Sequence, residues 1–261
     1  MKASSLKRRV NLLGLLWNRD AAMTTIYLDN NATTRVAQEV WDEIEPYFCE
    51  LYGNPSSMHA FGGQIADKIR EARQRVADLL VCDPGEITFT GCGTESDNTA
   101  IKGVLAAHPN KRKIITTRVE HPAVLSVCRD WENHGYAVVE LGVDKEGQLD
   151  LDELKANLSD DTALVTIMYA NNETGVVFPI EEIAQMVTSR GIVFHTDAVQ
   201  AVGKIPLDLS NSRIDLLSLS GHKLHAPKGV GVLYVRKGTR LSPFMLGGHQ
   251  ERGRRAGTEN V

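Results

Sequence analysis

The strongest constraint on this chain is an alternation. Five short runs rich in β-branched and apolar residues recur along it: Glu86–Thr90 (EITFT), Arg112–Thr117 (RKIITT), Thr162–Tyr169 (TALVTIMY), Gly191–Asp197 (GIVFHTD) and Ile214–Ser220 (IDLLSLS). Continuous apolar runs of this length read as buried strands. Helical periods lie between most of them. In Gln64–Leu80 the residues Ile65, Ile69, Ala72, Val76, Leu79 and Leu80 recur every three or four positions, which predicts one apolar helix face. Pro179–Arg190 opens on a proline suited to a first helical position and is followed by Gly191, a good stop. The stretch Ala226–Val235 (APKGVGVLYV) reads as a tight glycine turn and a further strand returning to the sheet. Strands alternating with helices predict an α/β fold around a mostly parallel sheet. In such sheets ligands collect at the carboxyl ends of the strands.

Size and charge narrow the class. A chain of 261 residues can bury a sizeable core, and a net charge of -4 gives no reason to expect nucleic acid or an acidic membrane as a partner. No apolar stretch approaches the length that crosses a bilayer. Cys49, Cys82, Cys92 and Cys128 show neither CxxC pairing nor metal-ligand spacing with histidine, so no metal site is expected. A reduced, cytosolic protein fits that usage. Residues 1–22 differ from the rest: five Lys/Arg against one Asp give +4 and leave -8 for the remainder. They read as a disordered upstream extension, with Met23 as the natural start and residues 23–261 as the folded domain. The chain shows no internal repeat, low-complexity segment or linker.

The strand ends carry the chemistry. After EITFT comes Gly91–Asn98 (GCGTESDN), a glycine turn opening a helix at about Thr94. A helix N-terminus of this kind favours a phosphate, but Thr94 followed by Asp97 is equally a capping arrangement. His121 ends the second run just before Pro122; it can stack on a planar cofactor or move protons, and equally it is a loop histidine. Asn171 and Asn172 precede Gly175, which suits a turn or a neutral donor to a ligand oxygen. Asp197 and Gln200 follow the fourth run in another capping spacing; a buried carboxylate there can also keep a pyridine nitrogen protonated. The fifth run ends on Ser220, Gly221, His222 and Lys223. An ammonium directly behind a buried strand is costly unless neutralised, and a lysine with a lowered pKa is a Schiff-base nucleophile. An aldehyde-reactive amine, a carboxylate, an anion turn, an imidazole and amides at successive strand exits together match what pyridoxal phosphate requires.

Eight stretches carry a more specific resemblance: YLDNNATT, GNPSSMHAFG, TESDNTAIKG, VEHPAVL, ANNETG, FHTDAVQAVGK, SLSGHKLHAPKGVGVLYVRKGT and GGHQERGRRAGTEN. Over Thr25–Val261 the chain resembles cysteine desulfurases of the class V aminotransferase superfamily, nearest to the NifS type that supplies sulfur for nitrogenase maturation. The resemblance implies the three-layer, mostly parallel large domain of a fold-type-I pyridoxal-phosphate transferase acting on L-cysteine. It implies Lys223 as the imine-forming amine and mover of the Cα proton, and His121 as the ring-stacking residue that assists proton transfer. Gly93, Thr94, Ser220, Gly221 and His222 would hold the phosphate end. Asp197 would pair with the ring nitrogen, Gln200 with the ring hydroxyl, and Asn172 would lie beside ring and substrate. Thr258 would reach the phosphate of a partner subunit, implying a homodimer with shared sites. An iron–sulfur scaffold or another acceptor protein would receive the sulfur.

Family members continue past the position of Val261 into a smaller domain that carries the nucleophilic cysteine and a carboxylate-binding arginine. None of the four cysteines here matches that nucleophile. Cys92, at a helix N-terminus, is the nearest substitute, but its turn is expected to be fixed while a sulfur carrier must travel. The remaining alternative is a pyridoxal-phosphate-binding module without turnover. A large domain standing alone is expected to expose an apolar patch of aggregation-prone size.

Overall fold

Period-two alternation along the strands divides the sheet between two cores. The computed structural model describes residues 25–261; the expected disordered extension and the start at Met23 lie outside them. Residues 25–30 run as chain outside helix or strand. Within residues 31–261 the strands are β1 (Ile87–Thr90), β2 (Lys113–Thr117), β3 (Ala137–Leu141), β4 (Thr162–Thr166), β5 (Val193–Asp197), β6 (Leu216–Ser220) and β7 (Gly231–Val235). They form one sheet in the order β1-β7-β6-β5-β4-β2-β3. β7 runs antiparallel to both of its neighbours, β1 and β6, and the pairs β6–β5, β5–β4, β4–β2 and β2–β3 are parallel.

The helices are α1 (Gln38–Ile44), α2 (Pro46–Cys49), α3 (Ala60–Leu80), α4 (Gly93–Ala107), α5 (Pro122–Glu132), α6 (Leu151–Asn157) and α7 (Ile180–Thr188). Ile115, Val165, Leu217 and Tyr234 pack with Ala77 and Leu80 of α3 and Ile183 and Val187 of α7. Their neighbours Ile114, Leu164, Leu216 and Leu233 pack with Ala100, Ile101 and Val104 of α4 and Val124 of α5. Successive side chains pointing to opposite faces thus build the expected three-layer α/β sandwich.

All five predicted strands and the returning one are present. β3 went unread because it is an edge strand, half-exposed through most of its length, so no continuous apolar run marks it. The α3 face also differs in detail. Ile65 and Leu80 are buried with Ala77, but Leu79 is 50% exposed and Ala72 is open, because the helix lies against the sheet along a narrower stripe than its apolar pattern.

The other sheet edge is closed by side chains. Arg73 of α3 grips Glu251 through two bonds of 2.7 Å and donates to Ile87 O at 2.9 Å. Glu251 accepts from Phe89 N at 3.0 Å, and Arg252 donates to Ile87 O. Glu251 and Arg252 both take left-handed backbone, at φ 47° and 59°, a conformation that costs non-glycine residues about 1–2 kcal/mol each. The nearly buried bidentate ion pair holds them there.

Candidate active site

The carboxyl ends of β1, β5 and β6 converge on the start of α4. Cys92 is its N-cap, with Sγ accepting from Glu95 N at 3.4 Å. The N–H groups of Gly93 and Thr94 therefore stand at the open end of the helix, where no intrahelical acceptor exists. A Cβ on Gly93 would lie 3.0 Å from Val199 Cγ2 and 3.3 Å from Ser220 Cβ. Glycine lets the three strand exits close on one another. Gly231 of β7 has the same task, since a Cβ there would sit 2.5 Å from the Cys92 carbonyl carbon. Ser220 Oγ is buried without a hydrogen-bond partner among the described residues. An orphan hydroxyl beside free helix N–H groups is a cradle for an anion.

The turn after β6 presents Lys223. Gly221–Lys223 is a single 3₁₀ turn, closed by Leu224 N donating to Gly221 O at 2.8 Å. A strap from the N-terminal side holds it. Thr34 N and Oγ1 donate to His222 O at 2.9 and 2.8 Å, His225 N donates to Thr34 Oγ1 at 2.9 Å, and Thr33 Oγ1 lies 3.1 Å from His222 Nδ1. The half-buried Lys223 donates through Nζ to Asn31 O, and Gln200 Nε2 donates to the same carbonyl at 3.0 Å. The strap is the part of the site with no residue-level role in the sequence reading, although YLDNNATT was itself a signal. Burial, and the charges of Lys223 and Lys228, push the His222 pKa down.

Asp197 ends β5, buried, with Oδ1 accepting from Val199 N at 2.9 Å. Burial raises its pKa, while the Val199 N–H and the charges of His121 and Lys223 draw it back. His121 and Lys223 therefore both act on the Asp197 carboxyl. His121 is exposed, and its Nδ1 accepts from Ala123 N at 3.1 Å, capping α5. Tyr169 N donates to Asp197 O at 2.8 Å, bringing the next loop alongside. There Asn171 Oδ1 builds the turn by accepting from Glu173 N and Thr174 N, and the half-buried Asn172 follows it.

Two capping readings are overturned. α4 starts at Gly93, and Asp97 is no cap: it is 1% exposed and faces His195, with Asp97 Oδ1 3.7 Å from His195 Nε2. No helix follows Asp197, and Gln200 spends its amide on Asn31 instead. Beneath the site lies a polar layer that sequence reading missed. His195 is fully buried between Thr166 Oγ1 at 2.8 Å and Ser218 Oγ at 3.0 Å, and burial lowers its pKa to about 3. Burial and the nearby Asp197 charge push Asp97 well up.

Thr258 stands apart from this group. It is exposed and lines, with Thr90, Gly91, Tyr47 and Ala72, a cavity of about 390 Å³. Cys92 apart, the cysteines do not gather at the site either. Burial, the leading cause for each, pushes the Cys82 and Cys128 thiols up to about 12, and Cys49 is exposed at the end of α2.

A three-layer sheet with an amine, a carboxyl and an anion cradle at its carboxyl edge is the architecture of fold-type-I pyridoxal-phosphate enzymes. The class-V aminotransferase family model matches residues 26–261, and the chain belongs to that family. Within it the likeness is to cysteine desulfurases. The cysteine desulfurase of Trichormus azollae is 65% identical over 239 residues, and cysteine desulfurase NifS of Azotobacter vinelandii is 59% identical over 240; each match covers 92% of this chain and 60% of the relative. The chain thus spans about three fifths of the length of these curated relatives. A solved NifS-like protein superposes with a TM-score of 0.88 at 44% identity, over 90% of this chain and 65% of its own. SspA in complex with cysteine gives a TM-score of 0.88 at 39% identity, over 90% and 69%.

Proposed function

We propose that this chain is the cofactor-binding part of a cytoplasmic, pyridoxal-phosphate-dependent cysteine desulfurase. It converts L-cysteine to L-alanine and passes the sulfur, as an enzyme persulfide, toward iron–sulfur cluster assembly; the NifS likeness favours nitrogenase maturation. The observation that carries the reading is the placement of Lys223 in the turn that follows β6, next to the strand β5 that the buried Asp197 ends.

The residues present fit pyridoxal phosphate. The orphan Ser220 Oγ and the open α4 N-terminus at Gly93 and Thr94 suit a phosphate, with Gly221 and His222 in the adjoining turn. When bound, this cofactor supplies an electron sink for the bonds at the amino-acid Cα. Lys223 would hold the aldehyde carbon and move the Cα proton. Asp197 would pair with the ring nitrogen and favour its protonated form. Gln200 would donate to the ring hydroxyl, Asn172 would flank ring and substrate, and His121 would cover the ring face and relay a proton. Thr258, outside this cluster, serves the phosphate of a second copy in a homodimer. Burial disfavours the thiolate at Cys82 and Cys128, Cys92 Sγ is engaged as a helix cap, and Cys49 is exposed at the end of α2, so none of the four stands out at the site as a mobile sulfur carrier.

Incubation with pyridoxal phosphate, borohydride reduction and peptide mass spectrometry are expected to place one adduct on Lys223. A colourless protein, or an adduct elsewhere, overturns the reading. The high thiol pKa values favour a second one, a cofactor-binding part with no turnover by itself. Assaying alanine formation from cysteine, with and without the region by which the relatives are longer, separates the two.

A further inference from the structure

Next to His121 lies a buried acid that the proposed chemistry does not use. Glu120 is 5% exposed in the turn that follows β2. Its Oε1 accepts two bonds, from Thr117 Oγ1 at 2.8 Å and from Met168 N at 2.9 Å. Thr117 is the last residue of β2, and Glu120 itself lies in the turn that leads from it to His121. Met168 belongs to the segment after β4 that leads to Asn171 and Asn172. One further bond joins the same two segments, Asn171 Nδ2 to Val119 O at 3.2 Å. A carboxyl oxygen that receives one donor from each of two strand exits fixes their spacing, and losing it leaves a buried N–H without an acceptor.

We infer that Glu120 is a positioning residue, which ties the turn carrying His121 to the loop carrying Asn172 and so sets the face against which the cofactor ring is held. The inference rests on the site reading given above. Glu120 touches neither ring nor substrate; it acts through His121 and Asn172. Burial is the main cause that raises its pKa, to about 8. The ionisable groups that interact with it are Asp197 at the end of β5, Asp97 on α4 and Cys128 on α5. No cation answers it among these, and the tie is made through the accepting Oε1 alone, an atom that an amide keeps.

The test compares Glu120→Asp with Glu120→Gln in the cofactor-loaded protein. Aspartate is one methylene short of Met168 N; glutamine keeps the accepting oxygen. The readout is the visible circular dichroism of bound pyridoxal phosphate, which reports how asymmetrically the ring is held, together with cofactor retention. Glu120→Asp is expected to lose most of the signal and to retain the cofactor roughly tenfold less well, the cost of one unsatisfied buried donor, at unchanged far-ultraviolet dichroism. Glu120→Gln is expected to match the parent at pH 7. An aspartate variant with the parental signal, or a glutamine variant as impaired as aspartate, overturns the inference. If the parent takes up no cofactor at Lys223, the site reading has failed, and amide exchange at Met168 in the cofactor-free protein decides. Faster exchange in Glu120→Asp alone supports the tie, and equal rates in all three proteins overturn it.

Discussion

One face of the sheet is two materials. Where α4 and α5 cover it, the amino-terminal half of the strands presents Ile114, Leu164 and Leu216, all fully buried and apolar. Two residues further along the same strands stand Thr116, Thr166 and Ser218, also fully buried, with His195 and Asp197 between them. Both halves exclude water, but only one recovers hydrophobic free energy for doing so. The other must satisfy each polar group internally, and it does so incompletely: Thr116 Oγ1 and Asp97 Oδ1 have no hydrogen-bond partner among the described residues. The apolar half holds the fold. The polar half sets buried hydroxyl, imidazole and carboxyl groups beneath the site.

That contrast can be broken by substitution. Leu216→Ala removes a fully buried side chain and is expected to cost about 2–5 kcal/mol in denaturant unfolding, with cofactor absorbance per folded molecule unchanged. A loss of cofactor binding at unaltered stability would erase the distinction.

The polar half should instead show itself in pH dependence, with opposite signs at two residues. Glu120 is raised to about 8 in the folded chain from an ordinary 4.5. Between those values the unfolded chain has lost a proton that the folded one keeps, so stability falls as pH rises through the window. Glu120→Gln is expected to remove that decline and to gain about 1–3 kcal/mol at pH 9, read from urea midpoints. His195 is lowered from 6.5 to about 3, so the stability it contributes is lost as pH falls through that window. His195→Asn should flatten the acid limb, and an unchanged limb would show that His195 is not the buried base.

Close backbone approach comes next in size. Gly231→Ala puts a methyl 2.5 Å from the Cys92 carbonyl carbon, with an expected cost of about 1–3 kcal/mol for overpacking and looser phosphate retention in equilibrium dialysis. Asp97→Asn should change least, by less than about 1 kcal/mol. Burial and the Asp197 charge push the Asp97 carboxyl well up, so an amide there is expected to cost little, and a large destabilisation would count against a neutral carboxyl.

The apolar half was the legible one. Runs such as IDLLSLS declare a buried strand whatever surrounds them, and six of the seven strands could be placed from such signals. Lys223, Asp197 and His121 were legible as strand-end residues, and the family likeness gave them roles. What stayed hidden depends on contacts between distant segments. Glu120 finds Met168 and Thr34 finds His222 only after the sheet has formed. Asp97 read as a cap because Thr-x-x-Asp is a good local signal; in the folded chain the helix begins one residue earlier and the carboxyl turns inward to His195.

The guanidinium–carboxylate clasp on β1 has a consequence for self-association. Ile87 O and Phe89 N are backbone groups that an incoming strand would pair with, and Arg73, Arg252 and Glu251 already occupy them. Another chain therefore finds no template along that margin, and the sheet cannot grow there into a fibre.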